Sequence, residues 1–250
     1  MDQLPQQREH LGQPNQWFAA THWSVVLAAS QASAQQRAAA LETLCRTYWE
    51  PLYAYIRRLG YQAPDAQDLT QGFFAHLLSR NAFCGLSPGK GKFRSFLLAS
   101  LKNFLADSHD WAVAAKRGGD CLTLSFDSKL VEEHFQQESS PNLGAERLFD
   151  RRWALTLLDR AFLKLKEEFA AAGKAAQFGE LGAFLSREGG AAEYEAIGGK
   201  LGMKRGAVAV AVHRLRLRYR ELIRGEIAHT VAQPAEVDEE MRYLLEVICD

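Results

Sequence analysis

Two stretches of this 250-residue chain concentrate cations. Residues 200–224 carry Lys200, Lys204, Arg205, Arg214, Arg216, Arg218, Arg220 and Arg224 against one acid, Glu221. Residues 90–117 carry Lys90, Lys92, Arg94, Lys102, Lys116 and Arg117 against Asp107 and Asp110. Clustered guanidinium and ammonium groups neutralise phosphates, and in the second stretch they alternate with Phe93, Phe96 and Phe104, whose rings offer stacking surfaces for single-stranded bases. That chemistry is nucleic-acid binding. Catalytic chemistry finds no comparable set. The seven histidines and four cysteines lack metal-ligand spacing. "GLSPGKG" (85–91) has three residues between Gly85 and Gly89, and Gly91 stands where a phosphate-binding loop needs a magnesium-holding Ser or Thr. A nuclease built on Asp65 and Asp68 is the enzyme alternative. The chain is read instead as non-enzymatic, without cofactor or metal.

The elements that must position these cations are helical. Alanine, leucine, glutamate and arginine dominate, and apolar residues recur every three to four positions, which predicts helices near 22–30, 35–59, 65–79, 92–115, 146–171, 174–186, 191–201, 204–224 and 237–248. "CLTLSF" (121–126) alternates like a strand. Breaks fall at "LGYQAPD" (59–65), "CGLSPGKGK" (84–92) and "KRGGD" (116–120), each rich in glycine or proline.

In "EYEAIGGKLGMKRGAVAVAVHRLRLRYREL" (193–222) a helix, a glycine turn at Gly202 and a second helix opening near Lys204 make a helix-turn-helix. Val208, Val212, Leu215, Tyr219 and Leu222 form a core stripe with Ala211 beside it, while Ala209, His213, Arg216, Arg220 and Arg224 fall on the other side. Short side chains suit close approach to base edges, and the cations beyond them suit phosphates. Lys204, Arg205, Ala209, His213, Arg214 and Arg216 are the duplex candidates. A basic amphipathic helix that merely solvates one face is the plainer alternative.

With 47% hydrophobic residues the chain can bury one large core or two small ones, and we expect two. Thirty basic and thirty acidic residues cancel, but their distribution is uneven: residues 120–150 hold seven acids against Lys129 and Arg147, and 226–250 hold seven against Arg242. The expected layout is all-α, with two helical domains joined by an acidic linker and the helix-turn-helix in the second. It divides into an N-terminal extension (1–34), a first domain (35–116), a linker (117–145), a second domain (146–225) and an acidic extension (226–250). The polar N-terminus, the scattered cysteines and the lack of a long apolar run suggest a reduced cytoplasmic protein with no membrane span.

Three motifs in this order resemble the extracytoplasmic-function sigma factors, the promoter-recognition subunits of bacterial RNA polymerase. "LCRTYWEPLYAYIRRLGYQAPDAQDLTQGFFAHLL" (44–78) is similar to their first conserved region, "GKFRSFLLASLKNFLADSHDWAVAAKRGG" (91–119) to the segment that melts the promoter, and 193–222 to their C-terminal DNA-reading domain. The resemblance implies that Asp65, Asp68 and Gln71, at three-residue spacing, face core polymerase. It also implies that Lys92, Arg94 and Asn103 meet melted promoter DNA, while helical periodicity assigns Phe96 and Phe104 to the core. Core polymerase and promoter DNA are the implied partners. Gly72 departs from the acid usual in the family. A helix-turn-helix regulator that never binds polymerase is the main competing function, and a helical interaction scaffold is a third.

The tail sequence places Val237, Met241, Leu244, Leu245 and Ile248 at helical spacing, with Tyr243 off the stripe. Such a helix either docks on the second domain and shields its basic surface or completes a core. Regulation by an anti-sigma partner or by this tail is the corresponding expectation.

Overall fold

The computed structural model describes residues 34–79, 92–111, 128–137, 143–231 and 233–249. Among them the regular elements are all helical: α1 (Ala34–Arg58), α2 (Ala63–Ser79), α3 (Phe93–Trp111), α4 (Ser128–Gln136), α5 (Ala145–Ala171), α6 (Ala175–Leu181), α7 (Ala191–Leu201), α8 (Arg205–Ala228) and α9 (Val237–Cys249). Short 3-10 turns follow α6 at Gly182–Leu185 and precede α9 at Pro234–Glu236. The helix expected at 22–30, the strand-like 121–126, Lys90, Lys116 and Arg117 lie outside the described residues.

Two hydrophobic clusters organise the chain. α1 is buried around most of its circumference, with Leu44, Cys45, Tyr48, Trp49, Leu52, Tyr53 and Ile56 all inside. A helix apolar on every side must be covered on every side. α2 and α3 cover one flank through Phe73, Leu77, Phe93, Leu97 and Leu101, and α5 covers another through Phe149, Trp153 and Leu157. Ile223 and Ile227 of α8 and Val237, Met241 and Leu244 of α9 belong to the same cluster. The second cluster gathers Leu165 of α5, Phe178 and Leu181 of α6, Phe184, Ile197 of α7, and Val208, Val212 and Leu215 of α8. α5 and α8 are therefore shared: one end of each packs into either core. Trp153 and Leu157 sit in the first cluster, whereas Leu181 and Phe184 meet Leu165 in the second.

The stretch 117–145, expected to be a linker, contains α4. Its nine residues dock on α1. Arg57 Nε and Nη2 donate to Glu132 at 3.0 and 2.8 Å, the Tyr53 hydroxyl also donates to Glu132, and the Arg57 guanidinium lies 4.9 Å from the Phe135 ring. Burial raises the Glu132 carboxyl pKa, but the donors from Arg57, Tyr53 and Gln136 outweigh it and hold the group down to about 2.

Candidate nucleic-acid interface

The α7–α8 unit is a two-helix corner fixed by two glycines. Gly202 caps α7 in the left-handed region, φ 65°, and its N–H donates to the Gly198 carbonyl. Met203 N–H donates to the same carbonyl at 2.8 Å. A Cβ on Gly198 would lie 2.5 Å from the Met203 carbonyl oxygen, so glycine is what lets the turn fold back onto α7. Lys204 leaves the turn extended and α8 starts at Arg205. The stripe Val208, Val212 and Leu215 is buried, and Tyr219 and Leu222, partly buried, bridge both clusters.

Opposite that stripe, Lys204, Arg205, Ala209, His213 and Arg214 are exposed in the N-terminal half of α8. A concavity of about 620 Å³ beside them has Ala207, Val210 and Met203 in its lining, with Lys174, Arg214 and Arg218 among its cations. Three of the other basic residues of α8 are occupied, while Arg220 is exposed. Arg216 Nε and Nη2 donate to the Phe184 and Arg187 carbonyls at 2.8 and 2.6 Å, which ties α8 to the turn after α6. Arg218 bridges Glu168 and Glu221, and Arg224 pairs with Asp238. Sequence periodicity placed Arg216 correctly away from the core stripe, but the carbonyls that hold it lie about thirty residues upstream and left no signal in the helix itself.

On α2, Asp65 and Asp68 are exposed and Gln71 is half-buried. A Cβ at Gly72 would make ordinary contact with the Phe104 ring at 3.4 Å, where α2 approaches α3, so packing does not explain the departure from an acid. Phe96 and Phe104 are partly buried against the first cluster.

The cations at the start of α3 are placed differently from Asn103, which is exposed farther along the same helix. Arg94 is 7% exposed. Its Nε donates to Asp150 Oδ1 at 3.0 Å, Nη1 pairs with Glu240, and its guanidinium stacks 4.6 Å from the Trp153 ring and 4.8 Å from the Tyr243 ring. Lys92 Nζ lies 2.5 Å from the second oxygen of Glu240, itself fully buried, and 5.6 Å from the Tyr243 ring centre. The Tyr243 hydroxyl donates to Asp150 Oδ2 at 2.6 Å. Burial and the adjacent Arg94 charge hold the Lys92 ammonium below the usual lysine range, and burial together with Asp150 pushes the Tyr243 phenol up to about 12. Glu240, Tyr243 and Asp150 were absent from the sequence-derived set. A signal for Glu240 existed: it lies three residues after Val237 and one before Met241, a carboxylate on an apolar stripe.

Among the described residues no group of three His, Cys, Asp or Glu side chains is placed to hold a metal ion. The Cys45 thiol is pushed up to about 12 by burial and by Glu42. No described helix is long and apolar enough to cross a membrane. Comparison with protein-family models, with curated proteins and with solved structures gives no match.

Proposed function

We propose that the chain is a sigma factor of bacterial RNA polymerase, reading duplex promoter DNA with α8 and binding core polymerase with α2. The observation that carries this reading is the α7–α8 corner, in which a left-handed Gly202 and a Cβ-intolerant Gly198 set α8 out with Lys204, Arg205, Ala209, His213 and Arg214 exposed together. Such a corner enters the major groove with the N-terminal end of its second helix, cations on the backbone and short side chains near the bases. Two further features support the polymerase half. The three motifs stand in the order resembled, and Asp65 and Asp68 are exposed on α2. In this reading residues 35–116 bind polymerase and open the promoter, and 146–225 read the upstream element.

A transcriptional regulator that binds duplex DNA without polymerase is the second reading. The burial of Arg94 favours it, because a cation enclosed by Asp150 and Glu240 is not offered to melted DNA in this conformation. Co-purification with core RNA polymerase separates the two. The full chain should be retained by tagged core enzyme, and Asp68→Arg combined with Gln71→Ala should abolish retention with helicity unchanged. Retention that is absent, or indifferent to both substitutions, would leave the regulator.

A further inference from the structure

Lys92 and Arg94 contact two carboxylates, Asp150 and Glu240, while Glu236 and Glu239 act on Lys92 from farther away. The two carboxylates differ in origin. Asp150 belongs to α5 and also accepts from the Tyr243 hydroxyl, whereas Glu240 comes from α9 and bridges both cations. A fully buried carboxylate is stable there only while cations replace its lost hydration, so the pocket is built to hold an anion. Tyr243, from the same helix, lays its ring over the same two cations. α9 thus presents to the start of α3 the two things a nucleotide would: an anionic oxygen pair and a flat ring. Removing Glu240 would take away the carboxylate that both cations contact, and Lys92, 31% exposed, opens the pocket to solvent.

We propose that α9 is an intramolecular stand-in for single-stranded DNA at the N-terminus of α3, and that the DNA backbone gains Lys92 and Arg94 by displacing Glu240. This rests on the reading that α3 meets melted promoter DNA, and it moves the tail's target from the basic face of α8 to α3. The other charged contacts of α9 are weak enough to yield. Arg224–Asp238 and Arg147–Glu246, the latter at 3.6 Å, are solvent-exposed pairs that salt screens. Its apolar stripe, Val237, Met241, Leu244 and Val247, is what holds α9 in place and what the DNA contacts must overcome.

The test uses the full chain and a fluorescein-labelled single-stranded oligodeoxynucleotide followed by anisotropy. Glu240→Gln should bind about tenfold more tightly than the unmodified chain, the size of one gained charge-assisted contact, and Lys92→Gln added to it should remove the gain. Amide hydrogen exchange on the unmodified chain supplies an arm independent of how the variants fold: saturating oligonucleotide should accelerate exchange across 237–247. Equal affinity of a folded Glu240→Gln chain, or exchange unchanged by the oligonucleotide, would overturn the cover. If duplex binding still falls with Arg214→Ala, that result leaves the proposed function standing. Loss of both single-stranded and duplex binding in every chain would overturn both.

Discussion

Gly198 and Gly202 do different work within one turn, and substitution separates them. At Gly202 the constraint is backbone conformation, so Gly202→Ala should cost about 1 kcal/mol. At Gly198 the constraint is space against a backbone oxygen, and Gly198→Ala should cost about 1–3 kcal/mol by overpacking and also weaken duplex binding, because α8 must shift. Thermal unfolding and duplex titration check both. Among the cations, Arg214→Ala should lower the salt slope of duplex binding by about one without loss of stability. Arg216→Ala should do the reverse, since its guanidinium is committed to the Phe184 and Arg187 carbonyls. Equal effects of the two on the salt slope would mean that the exposed face has been misassigned. Lys204, Arg205, His213 and Arg214 were legible as surface residues because a single helix's period places them there. Arg94 was not: what encloses it comes from Asp150, Trp153, Glu240 and Tyr243, all far along the chain.

Helix spans were readable where the apolar period ran for several turns, as in α1, α5 and α8. α4 escaped because its side chains facing the core are few, Val131 buried and Phe135 half-buried, and its attachment to α1 is ionic. That attachment makes a pH prediction. Glu132 has a folded-state pKa depressed from 4.5 to about 2, so its contribution is complete above about pH 4.5 and is lost as the pH falls toward 2. The shift corresponds to about 3 kcal/mol at most. Glu132→Gln should therefore be less stable than the unmodified chain at pH 7, with the difference closing below pH 4.5. A difference that stays constant with pH would show that Glu132 is not ionised against Arg57. α9 was legible as an amphipathic helix, and Val237, Met241 and Leu244 are buried as read; Leu245 is 53% exposed and Val247 takes its place. One residue of register decides which side of a helix faces inward, and sequence spacing alone left both neighbours eligible.

At the scale of the molecule, α5 and α8 each contribute to both hydrophobic clusters, so the clusters should unfold together. Trp153→Ala, which empties a fully buried site of the first cluster beneath Arg94, should cost about 3–5 kcal/mol and lower the melting temperature of the whole chain in one transition. Two separated transitions would show instead that the clusters are energetically independent. Net charge carried no functional information, since thirty cations cancel thirty anions; their segregation carried it. The acidic 226–250 segment and the basic start of α3 were both visible in the sequence, but their meeting through Glu240 depends on how α5 and α8 bring α9 across the first cluster. The proposed role in directing polymerase to promoters can be read from transcription reconstituted from the full chain, core RNA polymerase and a library of promoter templates, with transcript ends sequenced. Initiation should fall downstream of a shared upstream sequence, depend on the chain, be lost with Asp68→Arg and Gln71→Ala, and change in sequence preference with Ala209→Lys. Transcript ends no different from those of core polymerase alone would contradict that role.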